Sequence, residues 1–468
     1  MRGPTTIVRK LASFRNDVII SKMAASMSDV SPLLKETNGE DFAPKNRILG
    51  KFGESLEQNV TRRLQIRGNF LSSTGREEDS DVVSVFVVTF DTKSGNTVEW
   101  SLPEDNDLDG VEFKSMPSGA HTTVSDFTYF RMDNLYGLSC FAKMSVDSEA
   151  ERGARMKSVG LLSTSYTNLY KHMQFLESQV RIQLETPGRY DQLAAFFFDH
   201  QSLLPATFHN GTSGRDATDA ESETVSVISS ARSDHFLPHM EITHPAGCFS
   251  QFINFFGENI FTLWKYVLLR RRILFFSPPP IGVVCFRVYC ACMLGQYEVE
   301  LDTTPELKPF FYINIADIEN LESELSYVAC TTEKIFQEKK TLYDVYVDNQ
   351  DITTHIPRLK DMAKVNKMDR EKFNFLNNQR CAQMFRAQEM GDDDVDDDHL
   401  FSTFFTEQNN HIFQTLQDAA KSVDKTITSE HVRDMGLDPV ADRQFLMDLL
   451  ELYGIDVILM VDNPCCPV

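Results

Sequence analysis

RRRILFFSPPPIGVVCFRVYCACML, residues 270–294, sets a basic triplet before a run of mostly apolar residues that three prolines divide. The run is either a membrane anchor or the heart of a folded domain, and the prolines decide between the two. Pro278, Pro279 and Pro280 cannot lie inside a spanning helix without removing backbone hydrogen bonds, whereas proline at a first helical turn is favourable. Neither half of the run reaches the ~20 residues that a bilayer span requires. RILFFS therefore reads as a strand, and IGVVCFRVYCACML as a buried helix stopped by Gly295. Just upstream, residues 249–269 carry Phe252, Phe256, Ile260, Leu263 and Val267 on one stripe, with Asn254, Glu258, Asn259 and Lys265 off it, which predicts a single amphipathic helix. Helix, strand, proline turn and buried helix make an α/β unit without a transmembrane segment.

Moving outward, FFYINIAD (310–317) reads as another apolar strand, and 319–349 as an amphipathic stretch. An acidic spacer, 391–399, precedes the helical 401–423, and the chain closes with a helix and a last apolar strand in FLMDLLELYGIDVILMVDN. Toward the N-terminus, VVSVFVVTFD, a DTKSGN turn and TVEWSL predict a hairpin, and DFTYFRMDNLYGLSCFAKM predicts a second one turning at Asp133-Asn134. ERGARMKSVGLLS adds a short strand, and Leu169, Met173, Leu176, Val180 and Leu184 recur at helical spacing before a Pro187-Gly188 stop. Antiparallel strands followed by helices make this part α+β.

Two segments lack the apolar residues needed to offset the entropy of ordering: residues 1–80, expected to be flexible, and 204–238, a linker or exposed loop dense in Ser, Thr, Asp and Gly. They leave three folded parts, 81–203, 239–390 and 391–468. Residues 1–22 are basic and lack an unbroken apolar core, so they read as an extension before a start at Met23 or Met27, a disordered tail, or an import sequence. Asp29, Leu33 and Leu34 fit a dileucine sorting pattern too short to carry weight.

Charge and missing signatures narrow the function. With 46 basic against 68 acidic residues the formal charge is −22, which excludes a general phosphate-backbone binder, so no nucleic-acid partner is expected. Nine scattered cysteines fit a reducing compartment. GxxxxGK[ST], GxGxxG after a strand, HExxH and GxSxG are all missing, and with them the common nucleotide, metal and hydrolase signatures; no cofactor is expected. Asp392–Asp398 fail as a calcium loop, because Asp397 falls where glycine is required and Thr403 where glutamate is required. Cys285, Cys290 and Cys292 lie in an apolar helix without paired histidines and read as small buried hydrophobes, not zinc ligands. The terminal CCPV places Cys465 and Cys466 where prenylated or palmitoylated tails carry cysteine, although proline makes it a poor prenyl acceptor; a tail packed after the final strand is the alternative.

Several stretches together resemble LCHN-type DENN-domain proteins: VFVVTFDTKSGNTVEW, GVEFKSMPSGAH, ERGARMKSVGLLS, THPAGCFSQFINFFGENI, LLRRRILFFSPPPIGVVCFRVYCACM, SYVACTTEKIF, LYDVYVDNQ and GIDVILMVDNPCCP. The resemblance runs from about residue 81 to the end. It implies a longin-like antiparallel module over 81–203, a DENN α/β module over 239–390 and a helical C-terminal part over 391–468. It further implies a cytoplasmic guanine nucleotide exchange factor for a Rab-family small GTPase, acting in membrane trafficking with peripheral association at vesicle membranes, and making no bonds of its own. Segments 81–100 and 270–290 are the regions expected to meet the GTPase. Two alternatives stay open. One is a scaffold that binds the GTPase without changing its rates. The other starts from ERGARMKSVGLLS, which resembles the arginine-glycine segment of folliculin-type DENN proteins; Arg152 would then be an arginine finger that speeds GTP hydrolysis. Ala154 stands where that group carries an aromatic, and the plain reading of Arg152, Arg155 and Lys157 is a solvated strand edge.

Overall fold

A computed structural model describes residues 82–148, 151–201, 248–301, 307–390 and 397–460. Its N-terminal part forms from the two expected hairpins. β1 (Val82–Asp91) turns through an Asp91 side chain that accepts the N–H groups of Lys93 and Ser94, both at 2.8 Å, and returns as β2 (Gly95–Leu102). A short helix, α1 (Val111–Ser115), follows. β3 (Ser125–Met132) and β4 (Leu135–Ser145) are joined by two residues, and Asp133 takes the positive φ that such a turn demands. β5 (Ala154–Ser163) lies between β4 and β1, and α2 (Met173–Glu185) and α3 (Asp191–His200) complete this part.

The deciding stretch folds as its prolines predict. The upstream helix, however, is two: α4 (Phe249–Phe256) and α5 (Ile260–Leu268), separated at Gly257, whose φ of 56° breaks the turn. β6 (Ile273–Phe276) and α6 (Gly282–Leu294) flank the prolines. Then come β7 (Pro309–Tyr312), α7 (Ile318–Ser323), β8 (Val328–Thr331), β9 (Val345–Asp348) and β10 (Asp351–Thr354). The amphipathic stretch 319–349 thus holds two buried strands, four residues each, too short for periodicity to separate them from helix. The C-terminal part is α8 (Lys367–Met390), α9 (Asp397–Lys421), β11 (Thr426–Thr428), α10 (Ser429–Asp434), α11 (Arg443–Tyr453) and β12 (Ile458–Met460), with β11 and β12 paired in parallel.

Ten strands form one sheet in the order β10-β9-β6-β8-β7-β3-β4-β5-β1-β2. From β3 to β2 it is antiparallel; β9, β6, β8 and β7 are parallel. The two parts meet where β3 pairs in parallel with β7 at Phe130 and Tyr312. Burial on both faces is expected of parallel strands, and alternation shows it. Ile273, Phe275, Val328, Cys330, Val345 and Val347 face the main core, while Leu274, Ala329 and Tyr346 face a second apolar cluster with Phe310, Tyr327 and Phe336. Among the described residues no helix is long and apolar enough to cross a membrane.

The C-terminal helices are fixed by buried polar groups. Lys265 is only 1% exposed, not on an open helix face as its place off the apolar stripe suggests; its Nζ lies 2.7 Å from both Asp369 of α8 and Asp442 before α11. Burial opposes its charge, but Asp442 and Asp369 outweigh that and hold the ammonium above its usual pKa. Next to it, Trp264 Nε1 donates to Asn409 Oδ1 at 2.7 Å, and Asn409 Nδ2 donates to the carbonyls of Leu294 and Gln296, both at 2.8 Å. The end of the acidic spacer is built into the first turn of α9. Asp397 accepts Arg380 Nε at 2.7 Å and Asp398 accepts the Ser250 N–H at 2.5 Å, both from the first turn of α9. Residues 1–80, 204–238 and 391–396 lie outside the described residues.

Candidate partner-binding groove

At the junction of the antiparallel and parallel parts of the sheet lies a groove of about 600 Å³. Its exposed apolar side chains come from three places: Phe90 at the end of β1 (37% exposed), Phe113 on α1 (51%) and Ile315 just past β7 (56%). Buried Met116, Phe141 and Tyr312 back them.

Local chemistry builds the walls. The loop after α1 turns at Gly119, which has a φ of 85°, and a Cβ there would sit 3.1 Å from the Pro279 ring. Glycine is thus needed both for the backbone and for the approach of the proline turn. The Ser118 N–H donates to the Tyr312 hydroxyl at 3.2 Å. Lys114 Nζ grips both Asp317 oxygens, at 2.5 and 2.6 Å. Burial lowers the Lys114 pKa, and Asp317 only partly offsets this. Asp317 itself accepts the Asn314 N–H at 2.8 Å, while Asn314 Oδ1 accepts the Ala316 N–H at 2.9 Å, a reciprocal cap that shapes the backbone carrying Ile315. Below the groove, Asp126 accepts the N–H groups of Ile281 and Gly282 at 2.5 and 3.1 Å and so fixes the start of α6.

The residues singled out from sequence are distributed unevenly. Segment 81–100 supplies Phe90 and Asn96 to the lining; 270–290 supplies no lining residue and supports the groove through Pro279. Arg152 is exposed in the β4–β5 turn, in left-handed backbone with φ 51°, and does not line the groove. Its neighbours are not a solvated strand edge, because β5 is internal to the sheet. Lys157 is buried against Glu99, and Arg155 pairs with Glu151 at 2.7 Å while donating to the Leu184 carbonyl. Cys285 and Cys330 thiols lie 3.7 Å apart in the core. Cys465 and Cys466 lie outside the described residues. Phe113, Ile315 and Glu333 were not visible as a site in the sequence; the SMPSG turn beside Phe113 was the one local signal. Among the described residues there is no group of three or more His, Cys, Asp or Glu placed to hold a metal ion.

A family model for DENN domain-containing protein 11 matches residues 85–359, which take in nine strands of the large sheet whole and all of β1 but its first three residues. Sheet, helical cover and match together define a DENN-type α/β protein. DENN domain-containing protein 11 of Mus musculus is 58% identical over 395 residues, covering 84% of this chain and 85% of the mouse protein. The Danio rerio protein of that description is 57% identical over 447 residues (94% and 89% covered), and the Xenopus laevis one 52% over 446 (95% and 100%). The chain belongs to the DENN domain-containing protein 11 family.

Proposed function

We propose that this chain is a guanine nucleotide exchange factor that promotes GDP release and GTP loading on a Rab-type small GTPase, acting in the cytoplasm at vesicle membranes. The antiparallel part of the sheet with α2 and α3 serves in this reading as the longin-like module over 81–203, followed by the DENN module and a helical C-terminal part. The observation that carries it is the groove itself: an apolar recess where the two parts of the sheet meet, with three exposed large side chains, in a family defined by the DENN domain. Exposed large apolar side chains gathered in one recess support a protein-binding reading.

The chemistry asked of the groove is differential binding. A surface that holds the nucleotide-free GTPase better than the loaded one must, by reciprocity, weaken GDP binding by the same factor. Cellular GTP then replaces GDP, and no bond is made or broken by this chain. Release of a fluorescent GDP analogue from a panel of magnesium-loaded Rab-type GTPases tests the reading. Acceleration confined to one or two of them is expected; none across the panel would overturn exchange and leave a scaffold or, through exposed Arg152, a GTPase activator.

A further inference from the structure

Beneath the apolar rim, the groove has a polar floor whose hydrogen bonding is incomplete. Asn314, 6% exposed, uses its Oδ1 on the Ala316 N–H, but its Nδ2 has no partner among the described residues. Glu333, which lines the groove from the turn after β8, donates its own N–H to Thr331 Oγ1 at 3.2 Å and receives the Ile315 N–H at its carboxylate. Its Oε2 is shielded from solvent and has no protein donor. The nearby cation, Lys114, is already committed to both oxygens of Asp317. A shielded carboxylate oxygen and a shielded amide left without partners are costly, and a ligand that supplies a donor to one and an acceptor to the other recovers that cost.

From this arrangement we infer that Glu333 is the specificity-determining residue of the groove, receiving a Lys or Arg side chain of the bound GTPase while Asn314 Nδ2 donates to a backbone carbonyl beside it. The occupant is a segment that presents a large apolar side chain to Phe90, Phe113 and Ile315 and a cation next to it. Charge complementarity selects it: one oxygen of the Glu333 carboxylate has no donor, and an acidic or neutral segment would leave that oxygen without a counter-charge. Burial pushes the Glu333 carboxyl above its ordinary pKa, Asp317 adds to the rise and the Ile315 N–H only partly counters it; a cation placed beside the carboxylate would offset this cost of its charge. Glu333 already lines the groove and is half-buried, so rotation of its terminal carboxyl group turns the shielded oxygen toward a bound cation.

The inference rests on the groove being the GTPase surface, and the test separates the two. Purified nucleotide-free Rab-type GTPases are the probes, and binding to the full chain and to Glu333→Gln is measured by interferometry, with thermal melting as the control for folding. The expected result is wild-type melting in Glu333→Gln with affinity weakened roughly thirty-fold or more for the GTPase that the wild type binds. Glu333→Lys should abolish binding, and changing one switch-region Lys or Arg of that GTPase to Glu should restore it. Equal affinity of wild type and Glu333→Gln, while Phe113→Ala loses binding, would overturn the role of Glu333 alone. Equal affinity in Phe113→Ala as well, or no binding by the wild type, would overturn the groove reading together with it.

Discussion

The Asp126 carboxylate at the head of β3 closes the N-terminus of α6, accepting the Ile281 N–H at 2.5 Å across the sheet. Burial raises its pKa from 3.8 to about 6, and the donated N–H groups of Ile281, Gly282 and Phe127 only partly counter this. A carboxyl whose folded pKa is raised contributes stability that is fully present below the unfolded pKa and is lost as pH rises through the folded one. A shift of this size corresponds to about 3 kcal/mol. The stability of wild type relative to Asp126→Asn should therefore fall by that order between pH 4 and pH 7 in urea unfolding. A difference that stays flat with pH would sink the assignment.

Trp264 and Phe256 anchor the helices around the deciding stretch; the first is fully buried and the second nearly so. Replacing either by Ala should cost ~3–5 kcal/mol, more for Trp264 because Asn409 loses its donor as well. Melting curves that superpose on wild type would contradict this packing.

Lys265 bridges two buried carboxylates, and Lys372, 3.2 Å from Asp369, supplies the second positive charge. Removing it by Lys265→Met leaves Asp369 and Asp442 facing each other without that cation and should destabilise by about 3–5 kcal/mol. Asp442→Asn in the same background should recover part of the loss. Additive single and double losses in denaturant titrations would show that the two sites are not coupled.

Phe113 and Ile315 are exposed, so Phe113→Ala and Ile315→Ala should leave stability within about 0.5 kcal/mol of wild type. GTPase affinity should nevertheless drop by more than about fivefold in each, the loss expected of anchor side chains. A melting temperature that falls with affinity would mark these residues as structural instead.

Arg152→Ala tests the remaining reading of the β4–β5 turn. Under exchange, GDP release should be unchanged, since the residue lies outside the groove. Single-turnover GTP hydrolysis accelerated by the wild type and not by this variant would move the function to activation.

Much of this architecture could be read before the coordinates. Both hairpins, the strand and helix around the prolines, and the final helix and strand follow from periodicity and turn chemistry, which are local. β8 and β9 did not, because each four-residue strand sits within a mixed polar and apolar stretch, whereas the equally short β6 and β7 fall in plainly apolar runs. Lys265 looked solvent-facing because a stripe of apolar residues cannot show that two carboxylates from 369 and 442 come to meet an ammonium. Of the groove, segment 81–100 contains Phe90 and Asn96, but nothing in the sequence marks either of them individually. Phe113, Ile315 and Glu333 converge because β3 pairs with β7, a contact between residues 130 and 312 that no local pattern encodes.

That pairing has a consequence for the timing of recognition. Because one continuous sheet underlies both walls of the groove, the recess is shaped before any guest arrives, and little ordering of this chain accompanies capture. Association should then proceed near the rate at which oriented surfaces meet, and any distortion during the encounter falls on the softer partner. For a protein whose proposed task is to loosen a nucleotide from another molecule, an unyielding host is the useful half of the pair.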